Sequence, residues 1–189
     1  MRAIALVSVL LLLACGGSAP ARTQYLLRAQ APEGTVRLDT PARVGLGRVV
    51  VAPYLDQAGI VMETAANQVT PARHHTWAEP LADAAAIFLR AELSIALGEE
   101  VGLNPADRSL WKYTVEVFVE QLHGTMAGQA ALVATYRIAP RAAGSAPAEY
   151  RFSRSAPLAR EGYGGLVEAE ARLLRELAAA IAASVHEQP

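Results

Sequence analysis

The chain has one cysteine, Cys15, so no internal disulfide can staple the fold, and whatever the rest becomes must be held by its own core. That cysteine follows an apolar run from Ala3 to Leu13, interrupted only by Ser8 and preceded by Arg2. A spanning helix needs roughly 17–25 apolar residues, whereas a secretory leader has a basic start and about 7–15 apolar residues before small ones. Residues 1–14 therefore read as an export leader. The remaining length suits one domain that buries roughly two thirds of its unfolded surface, enough to fold without staples.

Two cleavage points compete. Ala19-Pro20-Ala21 has the small-x-small form of an ordinary leader site, while Leu12-Leu13-Ala14-Cys15 resembles the lipobox of bacterial lipoproteins. In a lipobox the peptidase reads the residues before the cysteine, here Leu12, Leu13 and Ala14. The cysteine receives a diacylglyceryl group and becomes the first residue. The thiolate is the nucleophile such a transfer needs. At about 0.8 kcal/mol per buried methylene, one acyl chain holds only reversibly and two hold stably. Lipidation of Cys15 is the expectation, with that covalent lipid in place of any cofactor. Residues 15–23, rich in Gly, Ser, Ala and Pro, form a flexible tether that lets the domain stand off the lipid, and 24–189 are the domain.

Within the domain, Tyr25-Leu26-Leu27-Arg28, Arg48 to Leu55 and Ile60 to Thr64 read as short strands, the last two joined through Asp56-Gln57-Ala58-Gly59. From Glu79-Pro80 the spacing turns helical. Leu81, Ala84, Ala85, Phe88, Ala91 and Ile95 share a face, Glu92 lies at the edge of that stripe, and Gly98 supplies the stop. Tyr113 to Glu120 alternates with period two and buries Tyr113, Val115, Val117 and Val119. Leu132, Ala134, Tyr136 and Ile138 repeat the pattern, as do Tyr150 and Phe152, with loops at Gly124–Gly128 and Pro140–Pro147. A last helix from about Gly165 to Ser184 places Leu166, Leu173, Leu177 and Ile181 together. This order predicts an α+β fold: a mostly antiparallel sheet with two helices packed on one face, a two-layer sandwich.

The chemistry is sparse. A formal net charge of -1 argues against a nucleic-acid partner. His74, His75, His123 and His186 lack the spacing of a zinc site, and His74 and His75 read as a solvated segment whose side chains point to opposite sides. No Gly-x-Ser-x-Gly elbow occurs, and Gly45-Leu46-Gly47 precedes its strand, unlike a dinucleotide fingerprint. Glu116 and Glu120 are expected on the wet side of their strand. No catalytic residue and no metal is assigned. Trp77-Ala78-Glu79-Pro80-Leu81 has two readings: Trp77 packs on the helix start with Glu79 favouring the helix dipole, or Trp77 contacts a partner.

Taken in order, Leu12 to Cys15, Tyr25-Leu26-Leu27, Val49 to Leu55, Ile60-Val61, Trp77 to Leu81 and Leu166 through Leu177 resemble the PqiC-like ABC-type transport auxiliary lipoproteins. The resemblance implies a non-enzymatic envelope subunit working with an MCE-domain protein and inner-membrane or ABC transport components that move lipids and maintain membrane integrity. It also implies a ring-forming homo-oligomer anchored at the periplasmic face of the outer membrane. Gly16, where enteric inner-membrane lipoproteins carry aspartate, agrees with that placement. A stand-alone lipid-binding or outer-membrane assembly lipoprotein is the alternative, and a lipoprotein hydrolase the third class.

Overall fold

A computed structural model describes residues 21–29, 42–103, 105–142 and 144–188. Cys15 and the residues before it, Leu12, Leu13 and Ala14, lie outside them. Alternation builds the centre of the fold. Strand β6 (Tyr113–Gly124) buries Tyr113, Val115, Val117 and Val119 as expected and continues four residues past Glu120 after a register shift. It turns through Thr125–Gly128 into β7 (Gln129–Pro140), which pairs in turn with β8 (Ala148–Pro157). Both pairings are antiparallel, so this meander is as the alternating pattern predicts.

The other edge of β6 departs from that expectation. Strand β2 (Val44–Val51) runs parallel to β6, and the two-residue β5 (Val101–Gly102) runs parallel to β2. Farther along the same edge, β3 (Gly59–Ala65) meets β6 in parallel at Met62 and Gly124. It pairs antiparallel with β4 (Gln68–Trp77), and β1 (Thr23–Tyr25) adds in parallel to β4. The sheet of eight strands is therefore mixed, not mostly antiparallel. The cause is topological. Helix α1 (Leu81–Leu97) lies between β4 and β6 in the chain, and such a crossover returns the chain parallel to a strand it left earlier.

Helix α1 lies over β2 and β5, while α2 (Gly162–His186) lies over β6, β7 and β8 and packs against α1. Both helices therefore cover one face, as expected. Gly98 ends α1 with φ 68°, its N–H donating to the Ile95 carbonyl at 3.3 Å, a left-handed cap that disfavours a side chain. Strand β2 begins at Val44, four residues before the expected Arg48, and after it Pro53–Leu55 form a 3-10 turn. Gly45 and Gly47 thus lie inside the strand. A Cβ on Gly45 would come 1.9 Å from Trp111 Cδ2, and one on Gly102 2.4 Å from Trp111 Nε1. These two glycines make room for a buried indole.

Candidate functional site

The word Trp77 to Leu81 ties three elements together. The Trp77 N–H donates to the Ala58 carbonyl at 2.8 Å, the Ala78 N–H to the Tyr25 carbonyl at 2.9 Å, and Leu81 begins α1. Arg28 grips Glu79 with both guanidinium nitrogens, one at 2.8 Å from Oε2. The hydrogen bond from Arg28 holds the Glu79 carboxyl below the usual carboxylate range, and the guanidinium is raised in return. Trp77 is only 6% exposed, so its indole packs in the core. Beside it is a hollow of about 320 Å³ lined by Asp56, Gln57, Ala78, Glu79 and Pro80, the surface a partner at this word would meet.

Next to that word, β1, β4 and the start of α2 are pinned by aromatic contacts. Tyr25 OH lies 3.0 Å from His75 Nδ1, and the His75 ring stacks on Tyr163 with centroids 4.2 Å apart at 17°. His75 is thus ordered and half-buried, where the sequence reads as a solvated segment, while its neighbour His74 is exposed. His123 is buried, with Nδ1 3.1 Å from the Gly124 carbonyl and the ring set edge-on to Tyr54. Burial pushes the Tyr54 phenol up to about 12. Among the described residues no group of three or more His, Cys, Asp or Glu could hold a metal ion.

The sheet face opposite the helices carries a polar ladder. Arg137 reaches Glu116 at 3.3 Å, Arg151 reaches Glu120 at 2.8 Å, and Thr135 Oγ1 donates to Glu120 Oε1 at 2.6 Å. Glu116 and Glu120 are on the wet side of β6, as expected. Phe118, 42% exposed, stands between them. Two hollows open along β6. One of about 340 Å³ is bounded by Arg48, Val50 and Phe118, the other, of about 450 Å³, by Tyr54, Val69, His123 and Thr125. Such a face is suited to contact, with fixed charges around a few apolar side chains.

The helix layer holds two buried acids. Glu92, 6% exposed, accepts from Arg175 Nε at 3.2 Å and so joins α1 to α2. Glu170 is 1% exposed, both oxygens lack a partner, and burial pushes its carboxyl up to about 8. Sequence reasoning passed over Glu170. The signal was its position one turn after Leu166 and one turn before Leu174, within the apolar stripe of α2.

Comparison with known proteins agrees with the geometry. The model of the family of ABC-type transport auxiliary lipoprotein components matches residues 25–182. Among curated proteins none matches the chain. An uncharacterized protein of known crystal structure is 23% identical, with a TM-score of 0.75 over 87% of this chain and 99% of its own. A Xanthomonas campestris protein of family DUF330 is 12% identical, with a TM-score of 0.65 over 86% of this chain and 94% of its own. At these identities the two structures show the shared fold alone.

Proposed function

Because this chain belongs to the family of ABC-type transport auxiliary lipoprotein components, we propose that it is a non-enzymatic docking subunit of an envelope lipid-transport system. The observation that carries the reading is the family match across nearly the whole domain, downstream of a lipobox cysteine. Cys15, acylated after cleavage behind Leu12-Leu13-Ala14, holds the domain at the periplasmic face of the outer membrane. No described helix is long and apolar enough to cross a membrane, so among described helices none competes with that anchor. The partner in this reading is an MCE-domain protein with its associated ABC or inner-membrane components, and the chain assembles as a homo-oligomeric ring. Partner contact falls to the hollow beside Trp77 and to the polar sheet face, where fixed ion pairs surround exposed Phe118.

The test is metabolic palmitate labelling of the wild type and of Cys15→Ser, followed by crosslinking in cells. The expected result is label and membrane retention for the wild type only, with an MCE-domain protein in the crosslinked product. An unlabelled wild type overturns the anchor. Repeated absence of an MCE protein overturns the transport partner, and lipid carried by the anchor-less domain then favours a stand-alone lipid-binding role.

A further inference from the structure

The length of the anchor arm can be measured against the fold. From Cys15 to Thr23, the first residue of β1, the chain takes eight residue-to-residue steps and spans at most roughly 28 Å. Thr23 lies opposite His75 of β4, and β1 runs parallel to β4, so the chain upstream of Thr23 emerges toward the start of β4. That start is the β3–β4 hairpin, whose two-residue turn, Ala66-Asn67, has Asn67 at φ 61°. Asn67 is eight residues before His75. At about 3.3 Å per strand residue the hairpin overhangs the start of β1 by roughly 26 Å, and less where its register shifts. Arm and overhang are nearly equal. Even fully extended, an arm that holds Cys15 in the lipid keeps the hairpin tip within a few ångströms of it, contrary to the stand-off the tether composition implies.

The chemistry of this end fits the location. The β6–β7 turn lies beside the hairpin, since Met62 pairs with Gly124 and one hollow is lined by Asn67, Val69 and Thr125. Neither tip carries a formal charge: Thr64 to Ala72 and His123 to Tyr136 contain no Asp, Glu, Lys or Arg. Each exposes an apolar side chain, Val69 at 41% and Met126 at 61%. Behind the tip Glu63 pairs with Val69, and Arg73 lies six residues from Asn67, about 20 Å along the strand. Uncharged tips with exposed apolar side chains suit an interface between headgroups and water.

We propose that the β3–β4 tip and the β6–β7 turn form a membrane-contact surface that touches the headgroups of the leaflet holding the Cys15 lipid. The inference rests on the lipoprotein reading. Its test uses the full acylated chain in vesicles of phosphatidylethanolamine and phosphatidylglycerol. With Cys15 acylated, a thiol introduced by Ala66→Cys, Met126→Cys or, at the far end of β7, Ser145→Cys is the single site for an environment-sensitive dye. Spin-labelled headgroups should quench the dyes at 66 and 126 several-fold more than at 145. An insertion after Ser18 that doubles the arm should remove most of that difference. Equal quenching at all three sites in a chain that floats with the vesicles overturns the contact surface alone. A dye at the tips that is shielded yet unquenched by lipid points to a second copy and also overturns it. A chain that carries no acyl group and does not float overturns both the surface and the reading beneath it.

Discussion

The meander β6–β7–β8 and the wing β1–β3–β4 belong to one sheet, yet they are held by different means. In β6 and β7 nearly every second side chain is buried, β8 adds Phe152 and Ala156, and α2 closes over all three. In β4 only Thr76 and Trp77 are buried, and the strand is kept in place by its hydrogen bonds to β3 and β1, by the His75 stack and by the Arg28–Glu79 pair. Stability should therefore concentrate in the meander and mobility in the wing. The most direct way to break this contrast is to remove apolar bulk from each side. Leu132→Ala, at a fully buried position, should cost about 2–5 kcal/mol, whereas Val69→Ala should change stability by no more than about 0.5 kcal/mol. Urea unfolding of the two variants checks this, and equal losses would refute the division.

Helix α2 covers the meander, touches the wing through Tyr163, and carries the buried acid Glu170. The Glu170 carboxyl titrates near 8 in the fold against an ordinary 4.5. Between those values the folded state keeps a proton that the unfolded state releases. Unfolding free energy should fall as pH rises through that window, by up to roughly 1.4 kcal/mol per unit, and level off above it. Glu170→Met should flatten the profile and be the more stable protein at pH 8, measured by urea unfolding from pH 5 to 9. A wild type with no such slope would show that the carboxyl finds a partner.

The same contrast explains what could be read in advance. Alternation in Tyr113 to Glu120 and helical spacing from Leu81 to Gly98 are local signals, and both elements are where those signals put them, but Ile95, placed on the shared face of the helix, is 60% exposed, and Leu89, Glu92 and Leu93 are buried beside Phe88 instead. Strand β4 has the sequence Gln-Val-Thr-Pro-Ala-Arg-His-His-Thr-Trp, exposed along most of its length. With little to bury it carries no period, so it reads as a loop. The parallel pairing of β2 with β6 joins residues about seventy positions apart and leaves no local trace. Of the site, the tie at Trp77 to Leu81 was legible as a word, and Glu92 as the edge of a stripe. The Tyr25–His75–Tyr163 pin was not, because its members meet only after folding.

The fit of Trp111 against Gly45 and Gly102 is another such meeting, and it sharpens the contrast on the β2 side. Gly45→Ala places a methyl group within the indole, which is 1% exposed. Overpacking of this kind costs about 1–3 kcal/mol. Displacement of Trp111 should also shift tryptophan emission to the red, since the only other tryptophan, Trp77, is distant in sequence and held by the wing. An unchanged spectrum with full stability would mean that the strand moves aside without cost.

The smallest expected effect tests the wing alone. Tyr25→Phe removes the phenol bonded to His75, and His75→Ala removes the stack on Tyr163 as well. A net hydrogen bond is worth about 0.5–1.5 kcal/mol and an aromatic pair about as much again. Global unfolding should hardly register the first change. Hydrogen exchange should, because the Ala78 N–H is held by the Tyr25 carbonyl and opens when β1 leaves β4. Exchange at Ala78 should speed up in Tyr25→Phe and further in His75→Ala, while the amides of β7 keep their wild-type rates. Equal acceleration in β7 would mean that wing and meander open as one unit, and the sheet would then owe its cohesion to β6 as a whole and not to burial under α2.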